Sequence, residues 1–295
     1  MKDYNDILNN IDQLDLRKYP YDKLKELLRE LDKFGVLLTT LHKGKKIIRG
    51  RLNNGNEVFD NTSKLSFKPE EFNTTYQRAS TPNKSMFYGA IVPEGIGVDE
   101  RIIERITVFG ELAHSDTFLS DNSSVGEKKI TFSRWDVLDD INLVSIIHHK
   151  KFERTPKLIT ELQEKYKDIL SNDELKSRSL AISEFIGDIF AKETIKDDFD
   201  YMVSAVFSEL ACEKYDGVMY PSVRLAGEGM NVAIKPEALP KIKFVGSSEC
   251  TIYKNEMEMI IGTDTRSVLG EDNNLTYYLD QNVSPDFMRK RVGLI

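Results

Sequence analysis

The chain has 295 residues, of which 40% are hydrophobic and 30% charged, and its formal net charge is -7. Such a composition supports a core of useful size and excludes a fibrous or disordered chain. The acidic balance repels polyphosphate backbones, so nucleic acid is not an expected partner, and the length suits two modest domains or one larger domain with an insertion.

The opening MKDYNDILNNIDQLD has early acids and no apolar core, so no signal peptide is expected. No apolar stretch approaches the roughly eighteen residues of a membrane span, so no membrane contact is expected and a cytoplasmic location is the simplest expectation. Tyr4 to about Leu41 reads as helix, because Ile7, Ile11 and Leu14, then Leu24, Leu27, Leu28 and Leu31, recur at helical spacing. Pro20 breaks that run in two, and residues 1–44 form an N-terminal helical region. From Lys45 short β-rich runs follow: Ile47-Ile48, Met86–Tyr88, Lys129–Trp135 and Leu143–Ile147, punctuated by Asn, Gly, Ser and Pro. Asp99–His114 fits a helix through Ile102, Ile106, Phe109 and Ala113, while Arg105–Leu112 also fits a strand. Pro156–Tyr215 is helical, with Phe199, Val203, Val206, Phe207 and Leu210 on one stripe. Strands return at Gly217–Pro221, Asn231–Ile234, Ile242–Val245 and Glu249–Ile261. The fold class is α+β. Residues 45–265 form one sheet-based domain with a helical insertion at about 155–215, and 266–295 is a C-terminal tail.

Two cysteines, Cys212 and Cys250, make no disulfide framework, and no CxxC is present. The histidines His42, His114, His148 and His149 show no metal-ligand spacing. In a strand His148 and His149 would point to opposite faces, so no metal is expected. GxSxG, GxxxxGK and GxGxxG are all missing.

Four stretches carry candidate chemistry. In HKGKKIIRGR, a strand over Ile47–Arg51 would place Arg49 and Arg51 on one face, a fork for a diphosphate or carboxylates; the plain alternative is a solvated basic edge strand. In YQRASTPNKSMFYGA, Arg78 precedes a turn at Ser80–Asn83, where Asn83 tolerates a left-handed backbone, and a strand follows that ends at Tyr88-Gly89. An ordinary loop and strand would look the same. Glu111, in TVFGELAHS, is either a surface position of a helix or a buried acid with a role. In KYDGVMYPSVRLAGEGMNVAIKP, Ser222 follows one apolar run and precedes a glycine loop.

Each stretch alone is compatible with ordinary structure; their order is more specific. An R-x-R strand, then R-A-S-x-P leading to F-Y-G-A, then a Glu among apolar residues, then Y-D-G-V-x-Y-P-S with a glycine loop and N-V-A, resembles the RES-domain family over roughly Ile47–Pro236. The resemblance implies an ADP-ribosyltransferase-like fold and breakdown of NAD⁺ by a bacterial toxin restrained by a neighbouring antitoxin. It implies Arg49, Arg78, Tyr88, Glu111 and Ser222 as the site, with Arg51 as an extra arginine. Ser80 stands where Asn is usual and Asn83 where Gly is usual. The Tyr88–Glu111 spacing is longer than normal, which leaves Glu104 and Glu100 as alternatives to Glu111.

Such a set suits the chemistry. Cleaving the nicotinamide–ribose bond passes through an oxocarbenium-like state that a carboxylate, here Glu111, stabilises while acting as general base. Arg49 and Arg78 offer bidentate donors to the diphosphate. Tyr88 offers a flat face to the nicotinamide, and Ser222 a positioning hydroxyl rather than a nucleophile, since no activating histidine is near in sequence. NAD⁺ is then a substrate, and the outcome is glycohydrolysis or phosphorolysis. Mono-ADP-ribosylation of a protein and a non-catalytic nucleotide-binding module are the alternatives, and a homo-oligomer is compatible with each.

Overall fold

The computed structural model describes residues 3–31, 33–91, 100–148, 157–170, 173–280 and 284–295. Asp99, His149 and Pro156 lie outside them, as do the side chains of Glu100, Ile102 and Glu104. In chain order the elements are α1 (Tyr4–Asp12), α2 (Tyr21–Glu30), β1 (Leu38–Leu41), β2 (Lys46–Leu52), β3 (Phe87–Ile91), α3 (Glu100–Ser115), α4 (Thr117–Ser120), β4 (Gly126–Val137) and β5 (Ile141–Ser145). They continue with α5 (Lys157–Ile169), α6 (Asp173–Phe190), α7 (Met202–Cys212), β6 (Gly217–Pro221), β7 (Met230–Ile234), β8 (Ile242–Lys254), β9 (Met259–Thr263), β10 (Thr265–Leu269), β11 (Leu275–Leu279) and α8 (Pro285–Arg291). The molecule is α+β, with mixed strand directions.

The chain forms two compact units. One comprises Met1–Leu41, Lys68–Tyr88 and Asp140–Leu239; the other His42–Phe67, Gly89–Asp139 and Pro240–Ile295.

In the first unit β1 pairs antiparallel with β5, β5 parallel with β6, and β6 antiparallel with β7. Parallel neighbours need a long crossover, and the helices α5, α6 and α7 supply it between β5 and β6. The expected helical insertion is therefore a crossover demanded by sheet topology. Leu24, Leu27 and Leu28 of α2, Ile182 and Ile186 of α6, and Val203 and Val206 of α7 pack with Val144, Val218 and Ala233 of the sheet into one core. The expected break between two helices is present: α1 ends at Asp12, a short 3₁₀ turn follows at Leu16–Lys18, and Pro20 stands at the N-cap of α2. Leu38–Leu41, expected as the end of a helix, is instead the strand β1. Pairing with Ile141–Val144 overrides the helical spacing of its leucines.

In the second unit an antiparallel sheet runs β3-β2-β4-β8-β9. Asp99–His114, left open between helix and strand, is the helix α3. Its Val108 packs with Ile48, Ile130, Phe132, Cys250 and Ile252 on one sheet face. The expected strand Glu249–Ile261 is two strands: β8 ends at Lys254 and β9 begins at Met259. The tail carries a further antiparallel hairpin, β10–β11, and the helix α8.

Candidate functional site

The expected residues divide between the units: Arg78, Tyr88 and Ser222 in the first, Arg49, Arg51 and Glu111 in the second.

In the first unit the turn after Arg78 is built as its residues dictate. Lys84 N–H donates to Thr81 O at 3.1 Å, Pro82 takes the position where a type II turn favours proline, and Asn83 takes the next at φ 61°. Asn73 ties the turn down by donating to the carbonyls of Thr81 and Lys84, each at 2.9 Å. β3 begins at Phe87 and runs through Gly89 to Ile91, so Tyr88 sits near its start rather than at its end. The Tyr88 hydroxyl accepts from Ala79 N–H at 3.1 Å and shares a 2.6 Å hydrogen bond with Ser80 Oγ. Ser80 thus binds the tyrosine edge.

Arg78 is buried, and its guanidinium faces backbone. It donates to Phe190 O, at the last residue of α6, and to Lys192 O at 3.3 and 3.4 Å. It also lies 5.1 Å from the centre of the Tyr201 ring. An arginine here completes the carbonyls that a helix C-terminus leaves unpaired. Arg224, in the loop after Ser222, donates to Glu193 O at 3.0 Å. Arg78 and the serine loop therefore converge on the same 190–193 backbone.

Ser222 is fully buried. Its N–H donates to Gly229 O at 2.6 Å, and its carbonyl accepts from Gly227 N–H at 2.8 Å. Gly227, at φ 90°, adopts a conformation that favours glycine. The glycine loop folds over the serine as a closed turn between β6 and β7.

In the second unit Arg49 and Arg51 do share a face of β2. Gly50 points the other way: a Cβ there would meet Val108 Cγ1 at 2.6 Å and Leu112 Cδ1 at 3.0 Å, so α3 covers the Gly50 face. Glu111 is half-buried on that helix. It lies on the opposite side of β2 from the two arginines, and the structure does not bring them together.

A buried carboxylate on the arginine side is that of Glu249, which sequence reasoning missed. Arg51 pairs with Thr131 of β4, and Thr131 with Glu249 of β8. Directly paired antiparallel residues share a face, and two strand spacings put Arg51 and Glu249 about 10 Å apart. Glu249 is 5% exposed. Its Oε2 accepts from Thr265 Oγ1 at 3.3 Å, whereas Oε1 is buried with no hydrogen-bond partner. The same face carries Thr131, bonded to Asn53 Oδ1 at 3.0 Å, and Ser133, which accepts from Trp135 Nε1 at 3.0 Å. Arg51 lies 4.5 Å from the centre of the Phe59 ring and donates to Lys64 O. The signal in sequence was the alternation Ser247, Glu249, Thr251, polar at every second position of a strand.

This polar face is covered by the β10–β11 hairpin. Ser267 Oγ accepts from both the N–H and the hydroxyl of Ser247, each at 2.8 Å. Tyr277 donates to Phe59 O at 3.0 Å and lies 3.0 Å from Ser247 Oγ. Each such neutral bond is worth about 1 kcal/mol net. Asp264, just before the hairpin, accepts from Thr251. Burial raises its carboxyl above the usual range despite that bond and the nearby Lys129.

Among the described residues no group of three or more His, Cys, Asp or Glu side chains has the arrangement to hold a metal ion. No family model matches the chain, and no curated protein matches it.

Proposed function

We propose that this protein degrades NAD⁺ at the nicotinamide–ribose bond, by hydrolysis or phosphorolysis, on an ADP-ribosyltransferase-like fold, and acts as a bacterial toxin held by an antitoxin partner. The observation that carries the reading is Arg49 and Arg51 on one face of β2, with Arg51 in the same cross-strand row as the buried carboxylate of Glu249. Paired guanidiniums fit a diphosphate, and a carboxylate fits the cationic ribose of the transition state. The ordered motifs from Ile47 to Pro236 supply the rest of the support. One observation favours the non-catalytic module instead: the guanidinium of Arg78 is occupied by the carbonyls of Phe190 and Lys192.

The test is to incubate the purified chain with NAD⁺ and follow nicotinamide release, with and without phosphate and with candidate acceptor proteins. Release that falls on Arg49→Ala and Arg51→Ala supports the enzyme. Loss of the working carboxylate should cost about 10²- to 10⁴-fold, so Glu111→Gln and Glu249→Gln identify which glutamate is used. Label on a protein selects the transferase. Binding of NAD⁺ without release overturns both enzyme readings.

A further inference from the structure

We infer that the β10–β11 hairpin is a removable strap over the arginine–glutamate face of the second unit, and that Glu249 is the carboxylate it uncovers. The hairpin's inward positions carry hydroxyls, Thr265, Ser267 and Tyr277, all bonded to groups that water could replace: Glu249 Oε2, Ser247 and Phe59 O. Of its apolar side chains, Val268 and Tyr278 are on the outer face, while Leu269, Leu275 and Leu279 share the face of the hydroxyls. Val268, Leu269, Tyr278 and Leu279 are exposed, and Leu275 is its buried hydrophobe. An element that leaves Val268, Leu269, Tyr278 and Leu279 exposed buries little apolar surface, and such elements belong to the low-stability end of a structure, where local opening occurs. A lone two-stranded hairpin has little stability of its own, so release would also loosen its internal pairing.

What lies beneath is not a satisfied interface. Glu249 Oε1 and Asp264 Oδ1 are both buried without a hydrogen-bond partner while the strap is down. Buried polar groups are normally paired, so an unpaired carboxylate oxygen marks a place where closure is incomplete. Lifting the hairpin returns that oxygen to solvent, on the face where Arg51 and Thr131 lie in the same row. The inference rests on the proposed NAD⁺ reading for the identity of the ligand, and on the hairpin's own contacts for the motion.

The test has two readouts on the full chain. Amide hydrogen exchange should show residues 265–279 exchanging at least about tenfold faster than β4 and β8; equal protection overturns the strap. Ser247 Oγ and Ser267 Oγ are 2.8 Å apart, close enough for the pair Ser247→Cys and Ser267→Cys to form a disulfide. When oxidised, that variant should gain protection across the hairpin and lose at least about tenfold in nicotinamide release, and reductant should restore both. An oxidised form that releases nicotinamide as fast as the reduced form overturns the strap. If wild-type chain releases none, the NAD⁺ reading fails, and the exchange pattern alone decides whether the hairpin opens.

Discussion

Arg78 is where a sequence-derived role and a structural role compete for one side chain. Its donors meet Phe190 O and Lys192 O, and its Cζ lies over the Tyr201 ring, 5.1 Å from the centre. Arg78→Ala should therefore destabilise the first unit by about 1.5–3 kcal/mol, the range for a charged hydrogen bond, in a denaturant titration run without NAD⁺. An unchanged midpoint would return the guanidinium to a ligand-binding role. Ser222 shows the same competition resolved by backbone. It was legible as a strand-end serine beside a glycine loop, and the loop does close on it, through Gly229 O and Gly227 N–H. Glu111 was legible as a glutamate in an apolar setting, but its side of β2 was not. The close approach of Val108 and Leu112 to Gly50, with the packing of Val108 on Ile48, shows that α3 lies opposite the arginines.

At the scale of elements, the β6–β7 pair depends on one glycine. Gly217 pairs with Ile234, and a Cβ at Gly217 would run into the backbone carbonyl of Ala233. Gly217→Ala should cost about 1–3 kcal/mol as overpacking against backbone that cannot give way, read as a lower thermal midpoint. A midpoint equal to wild type would mean that the strands separate freely there. Element type was legible wherever apolar residues set the period, as in α2, β2, β4, α7 and β6. It failed at β10–β11, because one face mixes Thr265, Ser267 and Tyr277 with Leu269, Leu275 and Leu279 while Val268 and Tyr278 occupy the other, which leaves no clean hydrophobic alternation to read. It failed at β1 because four residues are too few to separate a strand from a helix end.

At the scale of the molecule, Glu209 of α7 is the hub of the first unit. Its Oε1 accepts from Tyr21 at 2.7 Å, Lys25 at 2.5 Å and Lys84 at 2.9 Å, and its Oε2 from Thr81 at 2.9 Å. Burial alone would raise the carboxyl, but the bonds from Lys25, Lys84, Tyr21 and Thr81 outweigh it and hold the group at about 2, against 4.5 ordinarily. A depressed carboxylate contributes stability above its unfolded value and loses it as pH falls towards its folded one. Glu209→Gln should therefore unfold more easily than wild type at pH 7, and the gap should narrow as pH falls from about 4.5 to about 2. Chemical denaturation at stepped pH measures it; a gap independent of pH would show that the lysines do not hold the carboxylate.

By itself, the sequence determined the α+β class, a helical stretch over Pro156–Tyr215 that holds α5, α6 and α7, the arginine pair of β2 and the serine loop, because each depends on periodicity or turn chemistry within about twenty residues of chain. The tertiary structure decided what depends on strands meeting across long separations. It made the helical stretch a crossover between parallel β5 and β6, drew each unit from three separate stretches, set α3 against the Gly50 face, and brought Glu249 into the row of Arg51. Register places those residues on one face, and register is a property of paired strands that no single strand carries.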